Sequence, residues 1–301
     1  MVRTKQVLIE RVMPGVTRIA SDDRFPRPHV GVMGSVHGNE RCGLSAIRRL
    51  HESARHGVAV PSAGTWVLIH GNPTATRQRR RYTRGGTDLN RLFDFAFEEE
   101  LARERWTVEH ERASALRETL EDLDALIDLH SAGSPTPPFA MVNDVPDSSR
   151  IASQLGIRYV VDGWAEPGLL LDRVSIGVSQ RRGRVGISVE CGQHDAEDTP
   201  VAALEIAQAY LRACGVLEGE VSRGETIALR ITEIIARPSE GCRFTRRLKG
   251  LERLTAGEVF AKDRVVELSV REPCYVLLPN DGVPVGRDMV FLAQPSDRAA
   301  R

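Results

Sequence analysis

The chain has 301 residues, with 41 basic and 41 acidic side chains, 41% hydrophobic residues and 5% aromatic residues. This balance is typical of a globular protein, and the absence of net charge excludes a dominant electrostatic role in binding nucleic acids or membranes. The length predicts one large domain, or a large domain with a small partner. The five cysteines are scattered without a CxxC pair, which argues against a disulfide framework and against a thiolate zinc site.

Membrane attachment and secretion are not indicated by the sequence. No apolar stretch approaches the ~18 residues that a membrane-spanning helix needs. Residues 1–15 also lack the apolar core of a secretory signal peptide. We therefore expect a cytoplasmic protein with neither a membrane nor a nucleic acid as its partner.

Strands and helices alternate in the first two thirds of the chain. Short apolar runs rich in β-branched residues predict strands, and amphipathic runs predict helices. The predicted strands cover residues 28–36, 65–70, 125–130, 158–162 and 185–189, and the predicted helices cover residues 41–50, 98–122 and 200–214, with a loop from 71 to about 92. This alternation predicts an α/β fold with a mainly parallel, mixed sheet and helices on both faces.

The character of the sequence changes beyond about Leu217. Segments such as TIALRITEIIA, RVVELSV and CYVLLP are short, β-branched and separated by glycine, proline or charged turns. We expect residues 218–301 to form a small all-β domain, and residues 1–217 to form the larger α/β domain. The Glu- and Gly-rich stretch at residues 218–224 fits a linker between them.

A candidate metal site follows the first predicted strand. His37 and Glu40 have the spacing H-x-x-E, which lets an imidazole and a carboxylate project to one side of a turn. His130 ends the strand ALIDLH, and the carboxyl ends of strands converge at ligand sites in open α/β sheets. Two histidines and one glutamate form a common catalytic zinc set that leaves a position for water. A surface His beside a Glu is the alternative, but Gly34 and Gly38, which allow a tight turn, favour the metal site.

Two further polar residues are candidates for supporting roles. Asp128 lies two residues before His130 on the same strand face, and we expect it to support that imidazole only if the backbone turns. His194 follows another strand and is a reserve candidate for the site.

The predicted loop after the second strand is unusually basic. Within residues 72–91 it carries the arginines Arg77, Arg79, Arg80, Arg81, Arg84 and Arg91. A solvated loop or a nucleic-acid patch is the alternative, but neutral net charge and the single aromatic residue Tyr82 disfavour nucleic acid. Because arginine forks bind carboxylates bidentately, Arg81 with the pair Asn90 and Arg91 suits a carboxylate-bearing substrate.

Five motifs occur in a recognisable order along residues 28–215. They are GSVHGNERCG, the turn GNP, RRRY followed by DLNRLF, LIDLHSAG and GISVECGQ. Together they resemble the succinylglutamate desuccinylase/aspartoacylase family, a branch of the zinc carboxypeptidase-like superfamily. The all-β C-terminal segment also suits the two-domain members of that family.

The resemblance implies a zinc-dependent hydrolase, with one zinc per chain, that cleaves the amide bond of a small anionic N-acyl amino acid. By this resemblance the zinc ligands are His37, Glu40 and His130, the substrate-binding residues are Arg81, Asn90 and Arg91, and the general base is Glu190. Family members often have a proline after the glycine of the last motif, where this chain has Gln193. Further candidates for the substrate pocket, which cannot be aligned securely, are Arg181, Arg182 and Tyr275.

The residues themselves also favour Glu190 as the base. It ends an apolar strand at the same edge as the metal candidates, where packing alone does not explain a carboxylate. There it can take a proton from the attacking water and deliver it to the leaving nitrogen. A structural Glu paired with a nearby Arg is the alternative.

Two other functions compete with the amidohydrolase. A zinc carboxypeptidase acting on peptides fits the same metal set, although the β domain could narrow access to the cleft. A non-enzymatic binding protein that keeps the fold predicts a damaged metal or base position, whereas all four residues are present. A serine hydrolase is disfavoured because the chain has no G-x-S-x-G elbow. The acyl group, the pathway and the existence of a homo-oligomer stay open.

Overall fold

A computed structural model describes residues 7–21, 24–164, 170–221 and 224–296 of the chain. The strands in these residues are β1 (Leu8–Met13), β2 (Val16–Ala20), β3 (His29–Gly34), β4 (Thr65–His70), β5 (Ala125–Ala132), β6 (Phe139–Val142), β7 (Tyr159–Asp162), β8 (Val185–Gln193), β9 (Ile227–Ala236), β10 (Arg243–Phe244), β11 (Arg253–Leu254), β12 (Val259–Lys262), β13 (Glu267–Ser269), β14 (Cys274–Leu277) and β15 (Asp288–Pro295). The α-helices are α1 (Cys42–Arg55), α2 (Pro73–Gln78), α3 (Phe97–Glu100), α4 (Val108–Asp122), α5 (Pro146–Ala152), α6 (Ser175–Arg181) and α7 (Thr199–Ala213).

The centre of the molecule is a mixed sheet whose middle strands are parallel. In the part of the chain that the structure describes, this sheet has 12 strands in the order β1-β2-β4-β3-β5-β8-β6-β7-β9-β15-β14-β11. The pairs β3–β4, β3–β5 and β5–β8 are parallel, so the carboxyl ends of β3, β5 and β8 lie side by side. This arrangement confirms the predicted mainly parallel α/β fold.

Both faces of the central strands are covered by helices. On one face, Leu50 of α1 and Tyr210 of α7 belong to a core that includes Val32 of β3. On the other face, Leu116 of α4 packs into a core with Met33 of β3. Because both faces are buried, these strands appear in the sequence as continuous apolar runs rather than as alternating patterns.

The predicted long helix at residues 98–122 is wrong in its first half. The structure has the short helix α3, a 3-10 turn at Arg103–Arg105, and then α4 beginning at Val108. Thr107 ends the irregular segment as the N-cap of α4, and its backbone N–H donates to Nδ1 of His110 at 3.0 Å. Such a capping box satisfies donors that a helix start leaves free, so α4 begins after Thr107 rather than at residue 98.

The loop predicted for residues 71–92 contains regular structure. Asn72 caps the helix α2 by accepting a hydrogen bond from the backbone N–H of Ala75 at 3.0 Å, and Pro73 occupies the first turn. Both features are preferred at helix starts. A 3-10 turn at Leu89–Arg91 follows further along. None of the helices in the described residues is long and apolar enough to cross a bilayer.

The C-terminal segment is built from strands and forms a small β domain. Strand β9 pairs in parallel with β7, and β15, β14 and β11 follow it in antiparallel order at the edge of the central sheet. A second sheet, β10-β12-β13, packs nearby around Phe260 and Cys242. The exact boundary at residue 217 stays a prediction, and residues 222–223 of the predicted linker lie outside the described residues.

Candidate active site

The candidate metal ligands meet at the carboxyl edge of the parallel strands. His37 and Glu40 follow β3 in the HGNE turn, and His130 lies near the end of β5. All three are buried, with 4%, 3% and 4% of their surface exposed. Gly38 makes the turn possible, because a Cβ at this position would overlap with the backbone carbon of Ala75 in α2.

The carboxylate of Glu40 lies between the two imidazoles. Its Oε1 is 2.8 Å from Nδ1 of His37, and its Oε2 is 2.8 Å from Nδ1 of His130. One nitrogen or oxygen atom from each of the three residues lies within 4.8 Å of the others. The geometry therefore brings the three sequence candidates together as one donor set.

Two aspartates lie beside the outer nitrogens of these imidazoles. Oδ1 of Asp88 is 3.0 Å from Nε2 of His37. Oδ2 of Asp128 is 3.0 Å from Nε2 of His130, although not in hydrogen-bond alignment. Strand β5 is continuous through Asp128 and His130, so the backbone turn that the sequence expectation required is not needed. Asp88, which lies two residues before Asn90 in the motif DLNR, was not predicted from the sequence.

The protonation of this cluster fits a bound cation. An aspartate beside Nε2 favours the tautomer that carries the ring proton on Nε2 and keeps the lone pair on Nδ1, and in both residues Nδ1 faces a Glu40 oxygen. Each nitrogen lone pair would then repel the Glu40 oxygen that it faces unless a cation or a proton lies between them. Accordingly, although burial opposes both shifts, His37 and His130 hold the pKa of Glu40 well below its usual range, and Asp128 and Glu40 raise the pKa of His130. Two imidazole nitrogens and a carboxylate oxygen are donors that suit zinc.

Glu190 lies on β8, directly opposite His130 in the parallel register of β5 and β8. It is 7% exposed, and among the described residues its Oε2 has no hydrogen-bond partner. Burial, reinforced by the charge of Glu40, raises the pKa of Glu190 to about 8. A buried carboxylate with a free oxygen at the edge of the donor set can accept a proton and release it again. The alternative, a Glu neutralised by a direct Arg pair, is not found for this residue in the described part of the chain.

Arg81 connects the basic loop to the donor set. Its Nε and Nη2 donate to Oδ2 of Asp88 at 3.0 and 2.9 Å, and its Nη1 lies 3.7 Å from Oε1 of Glu40. The side chain is 44% exposed, so the guanidinium faces the site while part of it stays in contact with solvent. The neighbouring carboxylates Asp88 and Glu40 raise the pKa of Arg81 against the opposing effect of burial.

Asn90 and Arg91 occupy the 3-10 turn that follows Asp88. Oδ1 of Asn90 accepts a hydrogen bond from the backbone N–H of Ser175 at 3.1 Å, which joins the turn to α6. Nη1 of Arg91 donates to the backbone oxygen of Asn90 at 2.7 Å. Burial lowers the pKa of Arg91, and the charge of Asp88 opposes this shift. The turn therefore holds both residues by backbone contacts and leaves further donors of their side chains for other partners.

A buried glutamate anchors the whole loop and was missed in the sequence. Glu109, in the first turn of α4, is fully buried. It accepts hydrogen bonds from the backbone N–H and hydroxyl of Thr83 at 2.7 and 3.0 Å, from Asn72 at 3.2 Å and from Thr87 at 3.3 Å. Its only sequence signal is an acid in a helix first turn, which the helix dipole explains equally well.

His194, directly after β8, contacts both the end of β5 and the HGNE turn. Its Nδ1 is 2.8 Å from the hydroxyl of Ser131, next to His130, and its Nε2 is 3.5 Å from Asn39 of the HGNE turn. It is therefore placed beside the donor set without contributing to it in this arrangement.

The three remaining pocket candidates have other contacts. Arg181 donates to the backbone oxygens of Phe93 and Asp172 at 2.5 and 2.7 Å, and Arg182 pairs with Glu121 at 2.7 Å. Their guanidinium groups thus hold α6 to neighbouring segments. Tyr275 packs against Tyr159, with ring centroids 6.2 Å apart.

Comparison with known proteins identifies the family. Residues 26–212 match the model of the succinylglutamate desuccinylase/aspartoacylase catalytic domain. The chain is 26% identical over 293 residues to a succinylglutamate desuccinylase of Erwinia tasmaniensis, covering 90% of this chain and 85% of the relative. It is 33% identical over 131 residues to a probable aspartoacylase of Acaryochloris marina, covering 42% of each chain.

Solved structures show the same fold. The succinylglutamate desuccinylase of Vibrio parahaemolyticus superposes with a TM-score of 0.76 at 18% identity, covering 98% of this chain and 90% of that one. The product-bound ectoine utilization protein EutE (DoeB) of Ruegeria pomeroyi superposes with a TM-score of 0.72 at 20% identity, covering 92% and 88%. With the family model spanning most of the α/β part of the chain, this protein belongs to the succinylglutamate desuccinylase/aspartoacylase family of hydrolases.

Proposed function

We propose that this hydrolase is zinc-dependent and cleaves the amide bond of a small carboxylated substrate such as an N-acyl amino acid. The observation that carries the proposal is the buried cluster of two imidazoles around Glu40, with the unpartnered oxygen of Glu190 at the same strand edge. The names of the relatives, succinylglutamate desuccinylase and probable aspartoacylase, support the substrate class.

His37, Glu40 and His130 would hold one zinc ion per chain. When bound, zinc acts as a Lewis acid that lowers the pKa of water and polarises a carbonyl group. Asp88 and Asp128 orient the two imidazoles through their outer nitrogens, which favours the neutral ring with its lone pair directed inward.

Glu190 performs the proton transfers. In its ionised form it takes a proton from the water that attacks the amide carbonyl. It then delivers that proton to the leaving nitrogen, so that the product leaves as an amine rather than as an amide anion. The raised pKa of the buried carboxyl makes the first transfer easier, because a more basic carboxylate accepts the proton of water more readily, and a pKa close to neutral still allows that proton to be released.

The basic loop recognises the substrate carboxylate. Arg91 forms the bidentate pair and Asn90 adds a hydrogen bond, because a buried carboxylate needs both its charge and its lone pairs satisfied. Arg81 contributes positive charge close to Glu40 and is held in position by Asp88. We also propose that the protein is cytoplasmic.

A substrate panel on zinc-loaded protein tests the proposal. N-succinyl-glutamate, N-acetyl-aspartate and related N-acyl amino acids are compared with dipeptides and longer peptides, and Glu190→Gln is the matched inactive control. We expect hydrolysis of one or more small N-acyl amino acids at a kcat/KM far above that of any peptide. Preferential release of C-terminal residues from peptides would favour the carboxypeptidase instead. Binding without turnover in both wild type and control would favour a binding protein.

A further inference from the structure

The arginines of the basic loop, residues 72–91, lie in two different parts of the molecule. Arg81 and Arg91 belong to the candidate active site, but Arg77 and Arg79 lie on the flank formed by α2 and the start of α1. There they line an open cavity of about 430 Å³ together with Arg41 and Arg48. We call this space the arginine cavity.

The arginine cavity has no acidic wall. None of the residues that line it is an aspartate or a glutamate, and neither α1 nor α2 has an acidic residue in its first turn. Four exposed arginines therefore line one open surface cavity, and no carboxylate lines it. Their mutual repulsion is unfavourable until an anion enters or the charges are screened by salt.

The four arginines also lack carboxylate partners elsewhere. Across the described residues, Arg41, Arg48 and Arg79 make no side-chain hydrogen bond or ion pair, and Arg77 donates only to the hydroxyl of Thr74 at 3.0 Å.

Three exposed arginines elsewhere on the surface, unlike those of the arginine cavity, are paired with carboxylates. Arg27, Arg117 and Arg246 each contact two carboxylates. Local pairing is thus available to surface arginines in this chain, but it is not used in the arginine cavity.

The electrostatics of His70 indicate that the positive charge of the cavity is not compensated. His70, which lines it, has its pKa lowered to about 4 by burial and by the charges of Arg112, Arg48 and Arg77.

We propose that the arginine cavity binds a small molecule that carries two or more phosphate groups. A phosphate ester carries about −1.5 to −2 charges at pH 7 and three acceptor oxygens, so two such groups nearly neutralise four guanidinium groups. A carboxylate carries a single charge, and four of them would be needed for the same effect. Arginine forks bind phosphate bidentately, and the cavity volume lies within the ~300–1,000 Å³ typical of small-molecule sites.

Calorimetric titration of the zinc-loaded full chain with fructose 1,6-bisphosphate tests the proposal. Inorganic phosphate and tricarballylate, a tricarboxylate, are titrated in parallel at constant ionic strength to separate phosphate from carboxylate chemistry. We expect one bisphosphate per chain, with both other anions at least about tenfold weaker. The double variant R48Q/R77Q should weaken bisphosphate binding by roughly a hundredfold, since each lost charge-assisted contact costs about a factor of ten or more.

The matched control is R49Q/R80Q, which removes the same charge from neighbouring exposed arginines that do not line the cavity. It should bind the bisphosphate within about twofold of wild type. Equal losses in both double variants would mean nonspecific surface attraction and would overturn the proposal. A loss in R91Q without a loss in R48Q/R77Q would place the anion in the active site, and tighter binding of tricarballylate than of bisphosphate would also overturn it.

Discussion

Asp88 contacts His37 and Arg81 with different oxygens of one carboxylate. Its Oδ1 lies 3.0 Å from Nε2 of His37, and its Oδ2 accepts two hydrogen bonds from Arg81 at 3.0 and 2.9 Å. The same side chain therefore orients a candidate metal ligand and a candidate substrate-binding arginine. Metal binding and substrate binding are expected to be coupled through it.

Asp88→Asn tests this coupling. The amide keeps the size of the side chain but removes the charge, so the affinity for zinc should fall about tenfold to a hundredfold, as is typical when the partner of a ligating histidine is lost. Competition with a chromophoric chelator measures the affinity. Asp94→Asn is the control, because Asp94 pairs with Arg173 away from the donor set. Unchanged zinc affinity in Asp88→Asn would show that His37 does not depend on this carboxylate.

Glu190→Gln should keep zinc bound while it lowers kcat by roughly two or more orders of magnitude, because positioned proton transfer is lost. Glu190→Asp should retain more activity than Glu190→Gln, since it keeps the base. Metal content by plasma mass spectrometry and steady-state kinetics on the best substrate of the panel check both variants. Parental kcat in Glu190→Gln would remove Glu190 from the mechanism.

Arg91→Ala should reduce kcat/KM by about tenfold to a few hundredfold on carboxylated substrates, because a charge-assisted hydrogen bond contributes roughly 1.5–3 kcal/mol. The loss should largely vanish for a substrate analogue in which a neutral amide replaces the carboxylate. Arg91→Lys should restore only part of the activity, since an ammonium group lacks the planar fork. Equal losses on the acid and the amide would mean that Arg91 is structural.

Glu109→Gln tests the buried anchor of the basic loop. The variant keeps the shape of the side chain but replaces an acceptor oxygen by a donor that faces the N–H and hydroxyl groups of Thr83. We expect the free energy of unfolding to fall by about 1–3 kcal/mol, the usual cost of an unsatisfied buried polar group. We also expect KM to rise more than kcat falls, because the loop carries Arg81. Glu111→Gln, on the exposed side of the same helix, is the control for both measurements.

The stability of the protein should depend on pH through His70. Burial and the positive charges of Arg112, Arg48 and Arg77 lower the pKa of His70 to about 4 in the folded state, whereas an unfolded histidine titrates near about 6.5. Between these values the unfolded chain binds more protons, so stability falls as the pH is lowered from about 6.5 to about 4. Over this range the free energy of unfolding of the wild type should fall by an amount on the order of 1–3 kcal/mol, as measured by denaturant unfolding. In His70→Gln this decrease should be absent. His56→Gln, an exposed change, should leave the pH profile as it is in wild type.

The sequence by itself determined the parallel α/β core and the family. Continuous apolar runs that end in His, Glu or Gly predict strands buried on both faces. Such strands can be identified from the sequence because the signal is the local composition of the run itself. The H-x-x-E turn and the strand-end His130 and Glu190 were identified for the same reason, since parallel strands bring their carboxyl ends to one edge. The family match over residues 26–212 confirms the resemblance on which the residue roles were based.

Only the tertiary structure decided which polar side chains support the site. Asp88 lies 51 positions from His37, and Glu109 lies 26 positions from Thr83, so no local pattern links either pair. Arg77 and Arg81 also face different parts of the molecule, because α2 ends between them at Gln78. Contacts of this kind depend on the path of the chain in three dimensions, whereas helix and strand periodicity reports only on the nearest neighbours along it.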